Sequence, residues 1–151
     1  MILNKFTKSQ GQAMIEVLVG MVTLMYLFMG FFDLVRALNL YTVLSQSSEE
    51  AVRLASMPNN APVSRASIRQ RIITLVSGAG YDTINADIDP TPTTPPLPQL
   101  RIHIHGESGA RNSSAYVRVS YPFEFYYLRQ VIPGIAIPTI EITAARTRSN
   151  E

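Results

Sequence analysis

The sequence predicts an α+β protein in which a long N-terminal transmembrane helix carries a small head, built from a three-stranded antiparallel sheet and a short second helix. Two observations lead to this prediction. An apolar run of 21 residues with a single charge lies near the N-terminus, and segments that alternate apolar and polar residues follow in the last third of the chain. With 151 residues, the chain is long enough for one domain and an anchor.

Composition and charge argue against several classes of function. Both lysines precede the apolar run, and the rest of the chain carries eleven arginines and eleven acidic residues. A neutral body of this kind does not favour nucleic-acid binding, which needs clustered positive charge. The absence of cysteine excludes disulfides, thiolate metal sites and thiol nucleophiles. We find no catalytic motif, and we expect no enzymatic activity, no cofactor and no small-molecule substrate.

The apolar run, residues 12–32, has the length of a membrane-spanning helix, which needs about 20 residues. Its one charge is Glu16. A cleaved secretory signal is one alternative, but the run is longer than the usual apolar region of such signals and no A-x-A site closes it. A buried core helix is another alternative, which the 16 uncharged residues after Glu16 disfavour.

The charges that flank the run predict its orientation. Lys5 and Lys8 precede it and Asp33 follows it, so the positive-inside bias keeps residues 1–11 in the cytoplasm and exports the head to the periplasm or the cell exterior. Arg36 weakens this asymmetry slightly. It stands one helical turn beyond Asp33, however, where the two side chains can form a charge pair.

Glu16 has two interpretations. A carboxylate in a membrane helix is costly unless it is paired or lies near the interface, and the simpler interpretation is an interfacial residue that reaches the headgroups. In the other, the chain is cut after Gly11, which makes Glu16 the fifth residue and places a new ammonium on Gln12. Glu16 could then pair with the terminus of its own or a neighbouring subunit and fix the register of stacked helices.

This pattern resembles the class III signal of type IV pilins and pseudopilins, and specifically the TadE family of the tight-adherence (Flp) pilus system. The family shows a basic leader, G-x-A-x-x-E, an apolar span, then D/E-x-x-R and an A-R-x-A-like patch. The matching positions here are Gly11, Ala13, Glu16, Asp33, Arg36 and the run 51–55. Residues 121–123 and 145–148 also fit the family, whereas the resemblance does not extend to residues 58–98.

The resemblance implies a function in pilus assembly. A prepilin peptidase would cut after Gly11, and the mature chain would act in the inner membrane as a minor pseudopilin, together with other pilins, pseudopilins and pilus assembly proteins. Val17 stands where the major Flp pilins carry Tyr, which, together with the length of the chain, points to a minor subunit and not to the short major one. The alternative is an uncleaved, single-pass anchored module with a periplasmic binding or scaffolding role.

Helical periodicity continues beyond the span into residues 33–57. One stripe recurs at steps of three and four residues, and it could pack on the sheet of the head or on a partner; it comprises Leu34, Leu38, Tyr41, Leu44, Ser48, Ala51 and Ala55. Pro58 ends the pattern. Residues 12–57 as one helix would be about 69 Å long.

The remaining residues, 58–151, form the predicted head. A turn is expected at 57–62 and a second helix at about 64–77, capped by Ser64 or Ser67 and ended by Gly78 or Gly80. Its predicted apolar face is Ile68, Ile72, Leu75 and Val76. Residues 90–98 hold five of the ten prolines and should form an extended connector.

Three alternating segments predict the strands. Their inward positions are Leu100, Ile102 and Ile104, then Val117, Val119 and Tyr121, then Ile140, Ile142 and Ala144. The two histidines, His103 and His105, share the opposite face of the first strand. They could bind a metal with Glu107 or Glu141, but two exposed polar positions are the simpler interpretation. Residues 123–131 are rich in aromatics and fit a short helix, an extra strand or a contact patch.

Overall fold

The computed structural model describes residues 3–56, 63–84, 86–88, 99–106, 114–131 and 137–149. It confirms the α+β class, with a long apolar helix, a short second helix and an antiparallel sheet. The elements in chain order are α1 (Leu3–Ala55), α2 (Arg65–Gly78), β1 (Asp87–Ile88), β2 (Arg101–His105), β3 (Ser114–Phe123), α3 (Tyr126–Val131) and β4 (Ile140–Ser149). The predicted turn at 57–62, the Pro-rich connector at 90–98 and Glu107 lie outside the described residues.

The chain divides into two compact units. Unit 1 contains Met1–Arg36 and Phe125–Ile137, so it pairs the first part of α1 with α3. Unit 2 contains Ala37–Glu124 and Pro138–Glu151, so it holds the end of α1, α2 and the whole sheet.

Helix α1 has 53 residues and no proline, which is why its hydrogen-bond ladder runs without a break. It begins at Leu3, well before the apolar run, and ends at Ala55, two residues before the predicted end at 57. The amide of Ser56 still donates to the Val52 carbonyl at 2.9 Å.

The predicted stripe on α1 is correct only in its second half. Leu44, Ser48, Ala51 and Ala55 are buried, as predicted, and Leu40, Ser47 and Val52 are buried beside them. Leu34, Leu38 and Tyr41 are exposed instead. The reason is angular: at about 100° per residue, Leu38 lies roughly 120° around the helix from Leu44. The early part of the stripe therefore belongs to a different face.

Helix α2 forms where the sequence predicts it. The Ser64 side chain caps it by accepting from the Ser67 amide at 3.2 Å, and Ile68, Ile72 and Val76 are its buried face. At the other end Gly80 has φ 87°. Its amide donates to the Ser77 carbonyl at 2.9 Å, and the Tyr81 amide donates to the Val76 carbonyl at 3.3 Å. This is a Schellman ending, which glycine favours because it tolerates positive φ.

The sheet has the order β1-β2-β3-β4. The three predicted strands pair antiparallel, with Ile104 opposite Val117 and Val119 opposite Ala144. The prediction of three strands is incomplete, because β1 pairs in parallel with β2 through two residues. No strand was predicted at this segment, because a pair of residues is too short to show an alternating pattern.

The alternation in the strands selects the buried face. Leu100, Ile102, Ile104, Val117 and Val119 are buried, as predicted, and with the buried faces of α1 and α2 they make the core of unit 2. On β4 only Ala144 is buried, while Ile140 is exposed.

Three hydrogen bonds attach the end of α1 to the other elements of unit 2. Arg146 on β4 donates to the Ser45 hydroxyl at 2.8 Å. Arg71 on α2 donates to the Glu50 carboxylate at 2.7 Å, and Asn39 donates to the Tyr81 hydroxyl at 3.3 Å. Because these residues are far apart in sequence, the bonds fix which face of α1 packs on the core.

Candidate functional site

The apolar run on α1 is exposed on every side over residues 12–28, and Met29 and Gly30 are half-buried. The part of the chain that the structure describes contains one helix long and apolar enough to cross a membrane, and none of the apolar window in that helix is buried. The exposed side chains include Met14, Ile15, Val17, Leu18, Val19, Met21, Val22, Leu24, Met25, Leu27, Phe28, Phe31 and Phe32. A helix that is apolar all round is stable in lipid or inside a large core. This finding removes the alternative of a core helix within the described fold.

Gly11, Gln12 and Glu16 all lie on this helix and are exposed. A side chain added at Gly11 would meet no atom within 4 Å. Glu16 lies about 7.5 Å further along the axis, since each residue rises about 1.5 Å. The position of a carboxylate five residues after an open glycine is therefore compatible with both interpretations of Glu16.

Asp33 occupies a very different position in unit 1. Its side chain is fully buried, although α1 is exposed before and after it. Its carboxylate accepts three backbone hydrogen bonds from the start of α3: from the amide of Tyr126 at 3.2 Å, of Tyr127 at 3.1 Å and of Leu128 at 2.9 Å. Asp33 thus supplies the acceptor that the first amides of a helix lack.

Arg36 completes the charge balance at this site. Its guanidinium donates to Asp33 Oδ1 at 3.0 Å and remains 47% exposed. The same guanidinium carbon lies 5.9 Å from the ring centroid of Tyr126 and 6.0 Å from that of Tyr127. These distances are within the range of cation–π attraction. Asp33 and Arg36 are therefore paired, at the spacing that the sequence suggested, and the pair also holds α3.

Three aromatic rings lie beside this pair. The ring of Tyr127 lies 5.4 Å from that of Tyr126, edge to face, and 6.0 Å from that of Phe32. We call the four residues Phe32, Arg36, Tyr126 and Tyr127 the aromatic collar. Gly30 lies close by, where an added Cβ would come within 3.9 Å of the Leu128 side chain. A small residue at this position lets α3 approach α1 closely.

Sequence reasoning missed the link between Asp33 and α3. The two partners are more than 90 residues apart, and no local pattern connects them. One signal was present: Glu124 and Phe125, which precede α3, are not among the residues that cap helices well. A short helix that lacks a good capping residue needs an acceptor from elsewhere in the fold.

The histidines form no metal site with the residues described. His103 is half-buried and His105 is exposed; they face Arg118 and Tyr116 across the sheet. No group of three His, Cys, Asp or Glu that could hold a metal occurs among the described residues. Glu141, one of the two carboxylates considered as a third ligand, lies 3.9 Å from Arg101.

The structure brings together Asp33 and Arg36 and leaves the other predicted site residues, Gly11, Gln12 and Glu16, at the far end of the apolar run. Glu16 and Asp33 are separated by 16 residues, all uncharged, a rise of about 25 Å from one to the other. No family model, no curated protein and no solved structure matches this chain.

Proposed function

We propose that this chain is a membrane-anchored structural subunit, a TadE-like minor pseudopilin that takes part in the biogenesis of a Tad/Flp adhesive pilus. The observation that supports the proposal most is α1 itself, in which an apolar stretch exposed on every side begins directly after Gly11 and carries one carboxylate, Glu16. An assembly subunit needs such a helix, because the same surface must lie in lipid and later pack against other subunits.

In this proposal α1 crosses the inner membrane once. The basic residues Lys5 and Lys8 stay in the cytoplasm, and the head, in which both signs of charge occur, is exported. The stretch between Glu16 and Asp33 rises about 25 Å, close to the thickness of the hydrocarbon core, which is about 30 Å. Both acids would then lie near the two faces of the bilayer, where a carboxylate costs least.

A prepilin peptidase cuts after Gly11 in this proposal. The new ammonium of Gln12 and the Glu16 carboxylate then attract each other within one subunit or between neighbours. Because Glu16 is exposed on an otherwise uncharged surface, a neighbouring terminus can approach it. In a medium of low dielectric, such a pair favours one register of packed helices over others.

The test is the N-terminus of the membrane-extracted protein, produced together with a prepilin peptidase. Protein sequencing and intact mass should place the first residue at Gln12. Gly11→Val should retain the leader, because a branched side chain obstructs the bond that is cut. Gly20→Val is the matched control, since neither glycine has an atom within 4 Å of an added Cβ, and this variant should be processed normally.

The competing function is an uncleaved anchored module with a periplasmic binding or scaffolding role. It predicts that Met1, or a start near it, is retained in the wild type even when the peptidase is active on a known prepilin in the same cells. That result would refute the pseudopilin proposal and leave the anchor intact.

A further inference from the structure

The length of the apolar stretch determines the depth at which α3 would lie in a membrane. Asp33 is the first charged residue after Glu16, and everything between them is uncharged. If α1 crosses a bilayer, Asp33 and the residues bonded to it lie where the hydrocarbon core ends and the headgroups begin. The amides of α3 that bond to Asp33 are held at the same level.

Asp33 holds α3 in a defined position, although α3 is short. α3 has only six residues, and an isolated helix of that length is not stable in water. Three of its amides donate to one buried carboxylate, and its Leu128 side chain faces Gly30 of α1. The segment is therefore presented in a defined orientation and not as a free loop.

The surface around α3 combines the tyrosine rings of α3 with the Arg36 guanidinium of α1. Tyr126 is 55% exposed and Tyr127 is 37% exposed, and the Arg36 guanidinium lies over both rings. Phe31 and Phe32, one step back on α1, are also exposed. Tyrosine is enriched at membrane interfaces because its ring is apolar and its hydroxyl can reach water and headgroups.

We propose that the aromatic collar is a lipid-binding surface that rests in the interfacial layer of the membrane crossed by α1. Asp33 is its positioning residue, since it touches no lipid itself and orients α3 by accepting its amides. The collar is continuous with the exposed apolar surface of α1, because Phe32 belongs to both. The inference rests on the membrane anchor of the proposed function and is independent of leader cleavage.

Tryptophan fluorescence can test this directly, because the chain contains no tryptophan. Tyr126→Trp introduces a single tryptophan in the collar, which can be excited selectively over the tyrosines and which we call the collar reporter. Phe28→Trp introduces one in the apolar stretch, where the side chain is 53% exposed, and we call it the span reporter. The full chain of each variant is reconstituted in phosphatidylethanolamine–phosphatidylglycerol vesicles that contain lipids brominated at a known depth of the acyl chain.

Both reporters should be quenched, but at different depths. The collar reporter should be quenched most by bromine near the glycerol end of the acyl chain, and the span reporter by bromine deeper in the bilayer. If the span reporter is not quenched, the anchor of the proposed function fails. If the span reporter is quenched and the collar reporter is not, the anchor stands and the lipid-binding collar is refuted.

A second variant tests the role of Asp33. In the Tyr126→Trp background, Asp33→Ala should remove most of the quenching at position 126, whereas Asp33→Ala in the Phe28→Trp background should leave the quenching at position 28 unchanged. Asp82→Ala is the matched control, since Asp82 also accepts a backbone amide, from Ile84 at 3.0 Å, but on an exposed surface. Quenching at position 126 that survives Asp33→Ala would overturn the positioning role.

A partner other than lipid gives a distinct result. If the collar binds a second copy of this chain, the emission of the collar reporter will depend on the protein-to-lipid ratio and will not respond to bromine depth. That outcome would overturn the assignment to lipid.

Discussion

Two parts of α1 differ in how much of their apolar surface the rest of the fold covers. Between Met14 and Phe32 almost all apolar side chains are exposed, and they point to all sides, whereas between Leu44 and Ala55 the buried apolar side chains lie on one face that the core of unit 2 covers. The second part also has polar residues on its other faces, such as Gln46 and Glu49. An amphipathic helix needs cover on one side only, while a helix that is apolar all round needs cover on every side.

The comparison also holds for the two acids of unit 1. Glu16 is exposed on the apolar stretch, and Asp33 is fully buried with three amides and a guanidinium around it. A buried carboxylate is tolerated when its oxygens are fully hydrogen-bonded. The two acids therefore differ in their surroundings: Glu16 is open to whatever surrounds the apolar stretch, and Asp33 has its partners within unit 1.

The largest expected effect comes from shortening the same side chain in each part of α1. Leu44→Ala should lower the free energy of unfolding by about 2–5 kcal/mol, because Leu44 is fully buried and the change leaves a cavity. Leu24→Ala, at an exposed position of the apolar stretch, should change it by less than about 0.5 kcal/mol. Both changes in the free energy of unfolding can be measured by urea unfolding of unit 2 in mild detergent, with hydrogen exchange of the β3 amides as the readout. Equal effects would mean that the two parts are covered alike.

The sequence predicts the elements whose signals are local. Ser64, the apolar face of α2 and Gly80 lie within one helix and its ending, and the alternation in β2 and β3 is visible residue by residue. The stripe through Leu34, Leu38 and Tyr41 was wrong because three- and four-residue steps can drift around a helix over several turns. β1 has no local signal, because it needs the adjacent β2 to exist. For the bond from Asp33 to α3 the sequence shows only that a good capping residue is missing before α3, which does not identify Asp33 as the acceptor.

The next prediction concerns the contact that the sequence did not reveal. Asp33→Ala leaves three amides at the start of α3 without their acceptor, at a cost of about 1–3 kcal/mol. Hydrogen exchange of the amides of Tyr126, Tyr127 and Leu128 should then accelerate about 10- to 100-fold. Exchange in β3 should not change, because those amides belong to unit 2.

Asn at position 33 gives a graded control. Asp33→Asn keeps one acceptor oxygen, so it should accelerate the exchange of these amides less than alanine does. If alanine and asparagine both leave the exchange at wild-type values, Asp33 does not hold α3 and the positioning role assigned to it is wrong.

The smallest effect is expected from Tyr121 on β3. Loss of its hydroxyl should change the pH dependence of stability only in alkali. Burial raises the pKa of the Tyr121 phenol above its usual value of 10.0, and the nearby Asp82 carboxylate and Tyr81 add to this, while a hydrogen bond with the Asp82 backbone lowers it in part. The folded state therefore holds this proton more tightly than the unfolded state. The stabilisation is fully present below pH 10.0 and is lost as the pH rises through the folded pKa.

Tyr121→Phe should consequently make the stability of unit 2 fall less steeply with pH above 10.0, because phenylalanine has no proton to lose. Urea unfolding of wild type and variant at pH 7 and through the alkaline range measures the difference, and the pair at pH 7 isolates any change in packing. The effect should be confined to unit 2, to which Tyr121 and its partner Tyr81 belong. Linkage requires the slopes of stability against pH to differ between wild type and variant once the phenol ionises in the unfolded state. If the two stability curves fall in parallel above pH 10.0, the Tyr121 proton does not stabilise the sheet.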